Sequence, residues 1–310
     1  MKQYQRNVYG ETLVELGREN KDIVVLDADL SSSTRTAFFA KEFPERFFNM
    51  GVAEQNMMAT AAGLASCGKI VFVSTFALFA TGRAWDQIRN SICYNDFNVK
   101  IVATHSGISV GPDGASHQAL EDIALMRVIP GMSVIVPADC LETRQAILAA
   151  ANHPGPVYIR LGRPKVEDLK KQDFKIGKAN IIREGKDISI IACGIMVKQA
   201  LDAAALLKQE GIETRVVNMS TLKPIDKRTI FDCARETKGI ITAEEHSVIG
   251  GLGGAVSEVI AEMEGRKPLK KIGVQDRFGQ SGEPAELMKE YGLTAQDIVE
   301  AGRKMLINND

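Results

Sequence analysis

Residues Phe47–Ala65 read FFNMGVAEQNMMATAAGLA, which predicts an apolar strand turning into a helix with one acidic side chain, Glu54. Strands and helices that alternate in this way are typical of parallel α/β sheets. A carboxyl group at such a turn lies in low dielectric, which favours its neutral form and suits proton exchange with a buried heterocycle. The alternative is a structural role, because the macrodipole favours negative charge in the first turn of a helix.

The same alternation extends outward from this turn along the whole chain. In the first half it predicts helices near 6–19, 53–66, 77–93, 117–129 and 140–152, and strands at Ile23–Asp29, Phe47–Met50, Ile70–Thr75, Val99–Thr104, Ser133–Pro137 and Val157–Leu161. In the second half it predicts helices near 195–209, 226–236, 253–263 and at the C-terminus, and strands at Ile188–Ala192, Thr214–Asn218, Gly239–Ala243 and Lys271–Val274. We therefore predict an α/β fold with two domains, each a mostly parallel sheet flanked by helices.

A dense run of charged residues interrupts this rhythm between the two series of strands. With 310 residues the chain is long enough for about two domains, each with its own core. We place the first domain at 1–165, a linker with a possible β excursion at 166–186, and the second domain at 187–310.

Composition excludes several classes of protein. The net charge of −1 offers no electrostatic basis for binding nucleic acid or an anionic membrane. No run approaches the length of a membrane-spanning helix, and the N-terminus lacks the apolar core of a signal peptide. The five cysteines are scattered without metal-binding spacing, as in a reducing compartment. We expect a soluble, cytoplasmic protein.

Half of the chain's four histidines lie in the glycine-rich stretch THSGISVGPDGASHQALEDIA, which contains His105, Asp113 and His117. Glycines let a loop approach a ligand closely, and functional loops of α/β folds share this texture. Asp113 could set the tautomer of His117 in a proton-handling pair. The alternative is that His117 only begins the helix that follows.

Three segments together resemble the pyrimidine-binding region of the thiamine-diphosphate-dependent transketolase family. They are Gly51–Gln55 (Gly-x-x-Glu-Gln), Thr75–Phe79 (TF-x-x-F) and Thr104–Gln118. The resemblance extends through EEHSVIGGLGGAV to the C-terminus, but it matches only the C-terminal half of a full-length transketolase. The glycine cluster Gly250–Gly254 lacks dinucleotide spacing and indicates tight packing of a helix on a sheet instead.

The resemblance implies how the cofactor is held. Glu54 hydrogen-bonds N1′ of the aminopyrimidine ring, so that the ring can remove the C2 proton and form the ylid. Phe76 and Phe79 pack against the ring, and Asp29 lies near the cofactor. Where many transketolases have a tyrosine, this chain has Gly82, so a side chain from elsewhere is expected to fill that face.

The resemblance also implies how the substrate is held. Asp113 contacts a hydroxyl of the donor sugar, and His117 is a catalytic residue beside the reacting carbonyl. The residues expected to grip a sugar phosphate are His105, Arg163, Arg6 and Ser33. Arginine suits this role because its planar fork binds phosphate with two hydrogen bonds.

The diphosphate half of the site is missing from the sequence. The family holds the diphosphate through Mg²⁺ with a GDG motif and a downstream Asn, and this chain has neither at a suitable place. We expect no metal ligands here and a partner, an N-terminal transketolase subunit with the diphosphate-binding domain. The expected assembly is a heterotetramer, inactive without the partner.

The expected reaction moves a two-carbon ketol unit from a ketose phosphate to an aldose phosphate, as in the pentose phosphate pathway. The alternatives are the β subunit of a 2-oxoacid dehydrogenase E1 component, a split transketolase for a modified sugar phosphate, and a non-catalytic partner. The segment after Thr104 favours transketolase over the E1 component, and the full set of site residues argues against a non-catalytic role.

Overall fold

The first half of the chain forms an alternating series of strands and helices in the computed structural model, which describes residues 2–169, 173–265 and 267–307. Its central strands are buried along their whole length because they are apolar on both faces, as parallel strands covered by helices require. In chain order the elements are β1 (Lys2–Tyr4), α1 (Gln5–Glu19), β2 (Ile23–Asp27), α2 (Ser31–Thr34), α3 (Ala37–Glu42), β3 (Phe47–Asn49), α4 (Glu54–Ser66), β4 (Ile70–Phe76), β5 (Val99–Ser106), α5 (Asp122–Arg127), β6 (Ser133–Ile135), α6 (Cys140–Asn152), β7 (Val157–Gly162) and β8 (Lys165–Glu167).

The second half repeats the alternation. Helix α7 shows why it packs on a sheet: its alanine- and leucine-rich face is buried, and its charged face is not. The elements are β9 (Asn180–Arg183), β10 (Ile188–Ala192), α7 (Met196–Gln209), β11 (Thr214–Asn218), β12 (Thr221–Lys223), α8 (Lys227–Glu236), β13 (Ile240–Ser247), α9 (Leu252–Ala261), β14 (Leu269–Val274), α10 (Pro284–Glu290) and α11 (Ala295–Ile307).

The strands form two large sheets, which confirms the predicted fold class. The first sheet has the order β12-β6-β7-β5-β4-β2-β3 and is parallel except for β12. The second has the order β14-β13-β10-β11-β9 and is parallel except for β9. Strands β1 and β8 form a separate antiparallel ribbon. Strand β12 follows β11 in the chain yet joins the first sheet, so the two domains share backbone hydrogen bonds.

Several predicted elements differ from the structure. The helix predicted near 117–129 is α5 and begins only at Asp122, because the glycine-rich loop before it runs as irregular turns and a 3₁₀ segment at Ile108–Asp113. The helix predicted at 77–93 contains two π-helical stretches, Phe79–Arg83 and Gln87–Cys93. Strands β1 and β12 and helices α2, α3 and α10 were not predicted, and β8 and β9 correspond only to the possible β excursion in the linker, because all of them are too short to show a clear period.

The segment predicted as a linker contains regular structure at both ends. Strand β8 pairs with β1, and β9 forms an antiparallel edge of the second sheet. Residues 170–172 of this segment lie outside the described residues. The domain limits themselves stay a prediction.

A buried polar network joins the two sheets at the end of β13. The Arg160 guanidinium donates to Asp122 at 2.8 Å and to the carbonyl of Glu245 at 2.9 Å. The Glu245 carboxylate accepts from the backbone N–H of Ser109 at 2.6 Å. Gly107 has a positive φ of 79°, and a Cβ on it would lie 2.3 Å from the Glu245 side chain, so only glycine fits there. The network holds the loop after β5 against the second domain.

The glycine-rich turn before α9 packs on the sheet, as predicted. The Glu244 carboxylate accepts from the backbone N–H groups of Leu252 at 2.6 Å and Gly253 at 2.7 Å. A Cβ at Gly251 would lie 1.9 Å from that carboxylate. An internal acid therefore occupies the helix N-terminus that a nucleotide phosphate would need. None of the described helices combines the length and apolar character needed to cross a membrane.

Candidate active site

The predicted site residues converge at the carboxyl edge of the first sheet. Neighbouring parallel strands end at this edge, where ligands of open α/β sheets bind. Each of five strands contributes its end or the segment that follows it, which explains how distant parts of the chain form one site. Asp29 and Ser33 follow β2, Glu54 follows β3, Phe79 follows β4, His105 lies near the end of β5 with Asp113 and His117 after it, and Arg163 follows β7.

Glu54 is the first residue of α4, and its side chain is 2% exposed. The sequence predicted apolar surroundings for Glu54, but a cation is also present. Arg83 Nη1 lies 3.1 Å from Oε2 and 3.4 Å from Oε1. The Arg83 side chain is 52% exposed, so it reaches this carboxylate from the solvent side. The site therefore contains a buried acid with a cationic partner that solvent or a ligand can replace.

Phe76 and Phe79 form one aromatic cluster with both predicted histidines. The two phenyl rings stack with centroids 6.1 Å apart. The His105 ring stacks on Phe76 at 3.9 Å, and the His117 ring meets Phe79 edge-on at 5.2 Å. The cluster provides a flat apolar wall at the mouth of the site.

Arg83 is the side chain beside the position of the missing aromatic residue. Gly82 is exposed, and a Cβ added to it would meet nothing within 4 Å. The guanidinium of Arg83 lies 5.3 Å over the Phe79 ring, within the range of a cation–π contact. The π-helical turn that contains both residues is of a kind common at functional sites.

His105 is a buried, neutral ring in this structure. Its Nε2 lies 3.2 Å from Arg6 Nη1, and its Nδ1 lies 2.8 Å from Thr104 Oγ1. Because arginine can only donate, Nε2 must accept, which places the ring proton on Nδ1, where it donates to Thr104. Burial, with repulsion from Arg6 and Arg163, lowers the pKa of His105 to about 3. His105 therefore orients Arg6 and carries no charge of its own.

His105 also has a strained backbone. Its φ is +56°, which is uncommon for a residue other than glycine. Such conformations persist where the surrounding structure holds them, often at functional sites. Here the ring stacking and both ring hydrogen bonds hold the residue in place.

Arg6 and Arg163, two of the residues expected to bind a sugar phosphate, each contact another predicted site residue. Arg6 also donates to the Ser33 carbonyl at 3.3 Å. Arg163 donates to the Val110 carbonyl and lies 3.8 Å from the Asp113 carboxylate. Both guanidiniums are partly buried at one end of the site, so that end is cationic.

The predicted Asp113–His117 pair does not form in the described structure. Asp113 is exposed and faces Arg163 instead. The Nδ1 atom of His117 lies 3.0 Å from Ser116 Oγ. The alternative, in which His117 begins a helix, is also wrong, because α5 begins five residues later. His117 lies on the loop, partly exposed beside Phe79.

Asp29 lies at the end of β2 and connects to the turn that carries Glu54. Asn49 donates to the Asp29 carboxylate at 2.9 Å, and its own oxygen accepts from the backbone N–H groups of Asp29 at 3.1 Å and Gly51 at 3.0 Å. Asn49 was not among the predicted site residues, although a polar residue at the end of a parallel strand is a usable signal. Arg83 was not predicted either, although it follows the aromatic pair closely enough to share its surface.

Across residues 2–169, 173–265 and 267–307 there is no group of three acidic, histidine or cysteine side chains that could hold a metal ion. The site thus offers a buried acid, an aromatic wall and a cationic end, and its described residues form no ligand set for a hard cation. This set suits a ring that exchanges a proton and an anionic substrate tail.

Two family models match the chain: the transketolase pyrimidine-binding domain at residues 2–168 and the transketolase C-terminal domain at residues 177–298. A putative transketolase C-terminal section from Methanocaldococcus jannaschii is 54% identical over 297 residues, covering 94% of this chain and 93% of that protein. A 6-deoxy-6-sulfo-D-fructose transketolase subunit from Clostridium sp. is 42% identical over 302 residues, covering 97% and 94%.

A solved structure described as a split gene transketolase in an inactive beta4 tetramer superposes with a TM-score of 0.90 and 55% identity, covering 99% of both chains. These similarities favour transketolase over the E1 component considered as an alternative. The chain belongs to the transketolase family and is a split transketolase subunit, a transferase that works with a partner subunit.

Proposed function

We propose that this subunit, with an N-terminal-half partner, transfers a two-carbon ketol unit from a ketose phosphate to an aldose phosphate. The observation that carries the proposal is the meeting of Glu54, the Phe76–Phe79 wall and the Arg6–Arg163 end on one sheet edge. A proton-exchanging acid and an anion-binding end are what ketol transfer between sugar phosphates requires.

The residues present suit one half of a thiamine diphosphate site. An aminopyrimidine ring needs a flat apolar surface and a polar partner at its edge, which Phe76, Phe79 and Glu54 provide. Its diphosphate would be held through Mg²⁺ by hard oxygen ligands, which we assign to the partner subunit. When bound, thiamine diphosphate supplies the carbanion chemistry of the transfer.

Glu54 would hold and release a proton at N1′ of the ring, in place of its present contact with Arg83. Asp29, braced by Asn49, would line the cofactor side of the site. Asp113 would accept from a hydroxyl of the donor sugar, and His117 would hold a proton beside the reacting carbonyl. Because His117 is partly exposed and free of Asp113, it can reach a substrate that enters from the loop side.

Arg6, Arg163 and Ser33 would bind the phosphate of the substrate. Charge-assisted hydrogen bonds from guanidinium to phosphate are about twice as strong as neutral ones. His105 contributes by accepting from Arg6, which keeps that guanidinium directed into the site. The similarity to a sulfo-sugar transketolase subunit supports a modified sugar as the second candidate substrate.

Reconstitution tests the proposal. The partner is the chain from the same source that carries a GDG motif and a downstream Asn, and we expect a heterotetramer. With thiamine diphosphate and Mg²⁺, the mixture should transfer a ketol unit between sugar phosphates, whereas either subunit alone should not. Turnover by this chain without the partner, or a complete complex that is inactive on every ketose phosphate tried, would contradict the proposal.

A further inference from the structure

Arg35 lies two residues after Ser33, one of the residues expected to bind a sugar phosphate. It connects α2 to α3 with a φ of +74°, a left-handed conformation that is unfavourable for arginine. Thr34 and Thr36 on either side of it both donate to the buried Asp27 carboxylate, at 2.7 and 2.8 Å. The protein therefore holds this strained residue in one place from both sides.

Arg35 and Arg6 face each other across a reciprocal clasp between α1 and the α2–α3 turn. Arg6 donates to the Ser33 carbonyl on the turn, and Arg35 donates back to the side chain of Asn7, the residue after Arg6, at 2.9 Å. A Cβ at Gly10 would lie 2.6 Å from the Arg35 carbonyl, so a glycine on α1 lets the two segments approach. The Arg35 guanidinium thus contacts Asn7 and the Ser32 carbonyl, the sequence neighbours of Arg6 and Ser33.

Arg35 and Arg6 have no carboxylate partner within the part of the chain that the structure describes, whereas Arg163 lies 3.8 Å from Asp113. Arg35 pairs with Asn7 and the Ser32 carbonyl, and Arg6 with a carbonyl and a neutral ring, so no carboxylate contacts either one. The Nε of Arg6 is buried without any hydrogen-bond partner. Burial, together with repulsion from Arg35 and Arg163, lowers the pKa of Arg6. An anion that reached all three guanidiniums would relieve this repulsion.

We propose that Arg35 is a specificity-determining residue that makes this end of the site select a doubly charged phosphate monoester over a singly charged acid such as a sulfonate. The inference rests on the proposed function and names the class of substrate for it. The third guanidinium is what makes the selection: Coulomb energy scales with the charge of the ligand. A phosphate monoester carries nearly two negative charges at neutral pH, whereas a sulfonate carries one.

Charge scaling makes a quantitative prediction for Arg35→Gln. The lost interaction with a dianion is about twice that with a monoanion, so the fold loss for phosphate is about the square of that for sulfonate. If the sulfonate probe binds about threefold more weakly, the phosphate probe binds about tenfold more weakly, within the range for a charged hydrogen bond. The preference for phosphate then falls by about threefold.

The experiment measures Kd by calorimetry at pH 7.5 for glycerol 3-phosphate and 2,3-dihydroxypropane-1-sulfonate, which share a three-carbon chain with two vicinal hydroxyls. It uses the reconstituted complex. Arg35→Gln removes the charge at similar length, and Arg35→Lys keeps the charge and should retain most of the preference. Arg228→Gln is the matched control, because Arg228 lies on α8 with its side chain 89% exposed. It should change neither Kd.

Arg35→Gln complexes that lose the same factor for both probes, or lose nothing, overturn the proposal. A wild-type complex that shows no preference for the phosphate probe also overturns it. An assay of ketol transfer by the same complexes distinguishes a failure of this inference from a failure of the proposed function. If transfer proceeds but the preference for phosphate is unchanged in Arg35→Gln, only this inference is wrong. If no complex transfers a ketol unit, the proposed function is wrong, and the ratio of the two Kd values still reports on Arg35.

Discussion

Replacing Glu54 with glutamine exchanges the carboxyl group that we propose transfers a proton for an amide of nearly the same shape. The side chain is 2% exposed at the first position of α4, so the substitution changes chemistry without opening a cavity. The amide cannot take up and release the proton, and removal of the C2 proton from bound thiamine diphosphate should slow. Proton relay of this kind contributes about 10²–10⁴-fold. That loss corresponds to about 2.7–5.4 kcal/mol of activation free energy.

The effect on stability should be much smaller. Glutamine loses the ion pair with Arg83, but the Arg83 side chain is 52% exposed and can be hydrated instead. Solvent screening limits such a pair, and a first-turn charge contributes about 0.3–1 kcal/mol to a helix. A role in the helix alone therefore predicts a slightly weaker fold with nearly intact activity, whereas a catalytic role predicts the reverse order of effects.

The assay follows exchange of the C2 proton of bound thiamine diphosphate into deuterated buffer by NMR after acid quench, in the reconstituted complex. Urea unfolding of the same proteins gives the free energy of unfolding. Glu15→Gln is the matched control, because Glu15 also forms an ion pair, with Arg144, but lies on α1 outside the site. Equal exchange rates in wild-type and Glu54→Gln complexes that both retain cofactor would refute the catalytic assignment.

Three other outcomes are expected. Arg163→Ala should raise KM for phosphorylated sugars far more than it lowers kcat. His105→Ala should raise KM less, because burial lowers the pKa of His105 to about 3, so it orients an arginine as a neutral ring. Equal changes of KM in steady-state kinetics would contradict this. Asp122→Asn removes the carboxylate that contacts the buried Arg160 guanidinium and should cost about 3–5 kcal/mol in urea unfolding. Burial lowers the pKa of His246 from 6.5 to about 4. The neutral ring therefore contributes stability above pH 6.5, and this stability is lost as the pH falls from 6.5 towards 4. His246→Gln should flatten this acid loss in unfolding measured at pH 7 and pH 5. Burial raises the pKa of Glu244, which lies 3.6 Å from His246, to about 7 and gives an opposite trend; an unchanged pH slope in His246→Gln would count against His246.

The sequence by itself determined the fold class and the location of the site in the fold. Short apolar strands bounded by helices allow few arrangements other than parallel sheets covered on both faces. Once the strands are parallel, the residues that follow them must meet at one edge. Glu54, Phe76 and His105 could therefore be assigned to one site from local pattern and family resemblance alone. The missing diphosphate motif was equally visible as a sequence feature.

The tertiary structure decided the partners and charges of those residues. Arg83 meets Glu54 from 29 positions away, and Arg6 meets His105 from 99 positions away, so no local pattern could pair them. The neutral state of His105 depends on how deeply packing buries its ring and on which guanidiniums surround it. Arg35 looks in the sequence like an ordinary surface cation, and only the folded structure brings it against Asn7, the residue after Arg6. Residue type sets which chemistry is possible, whereas protonation, tautomer and direction depend on long-range contacts that form only when the chain folds.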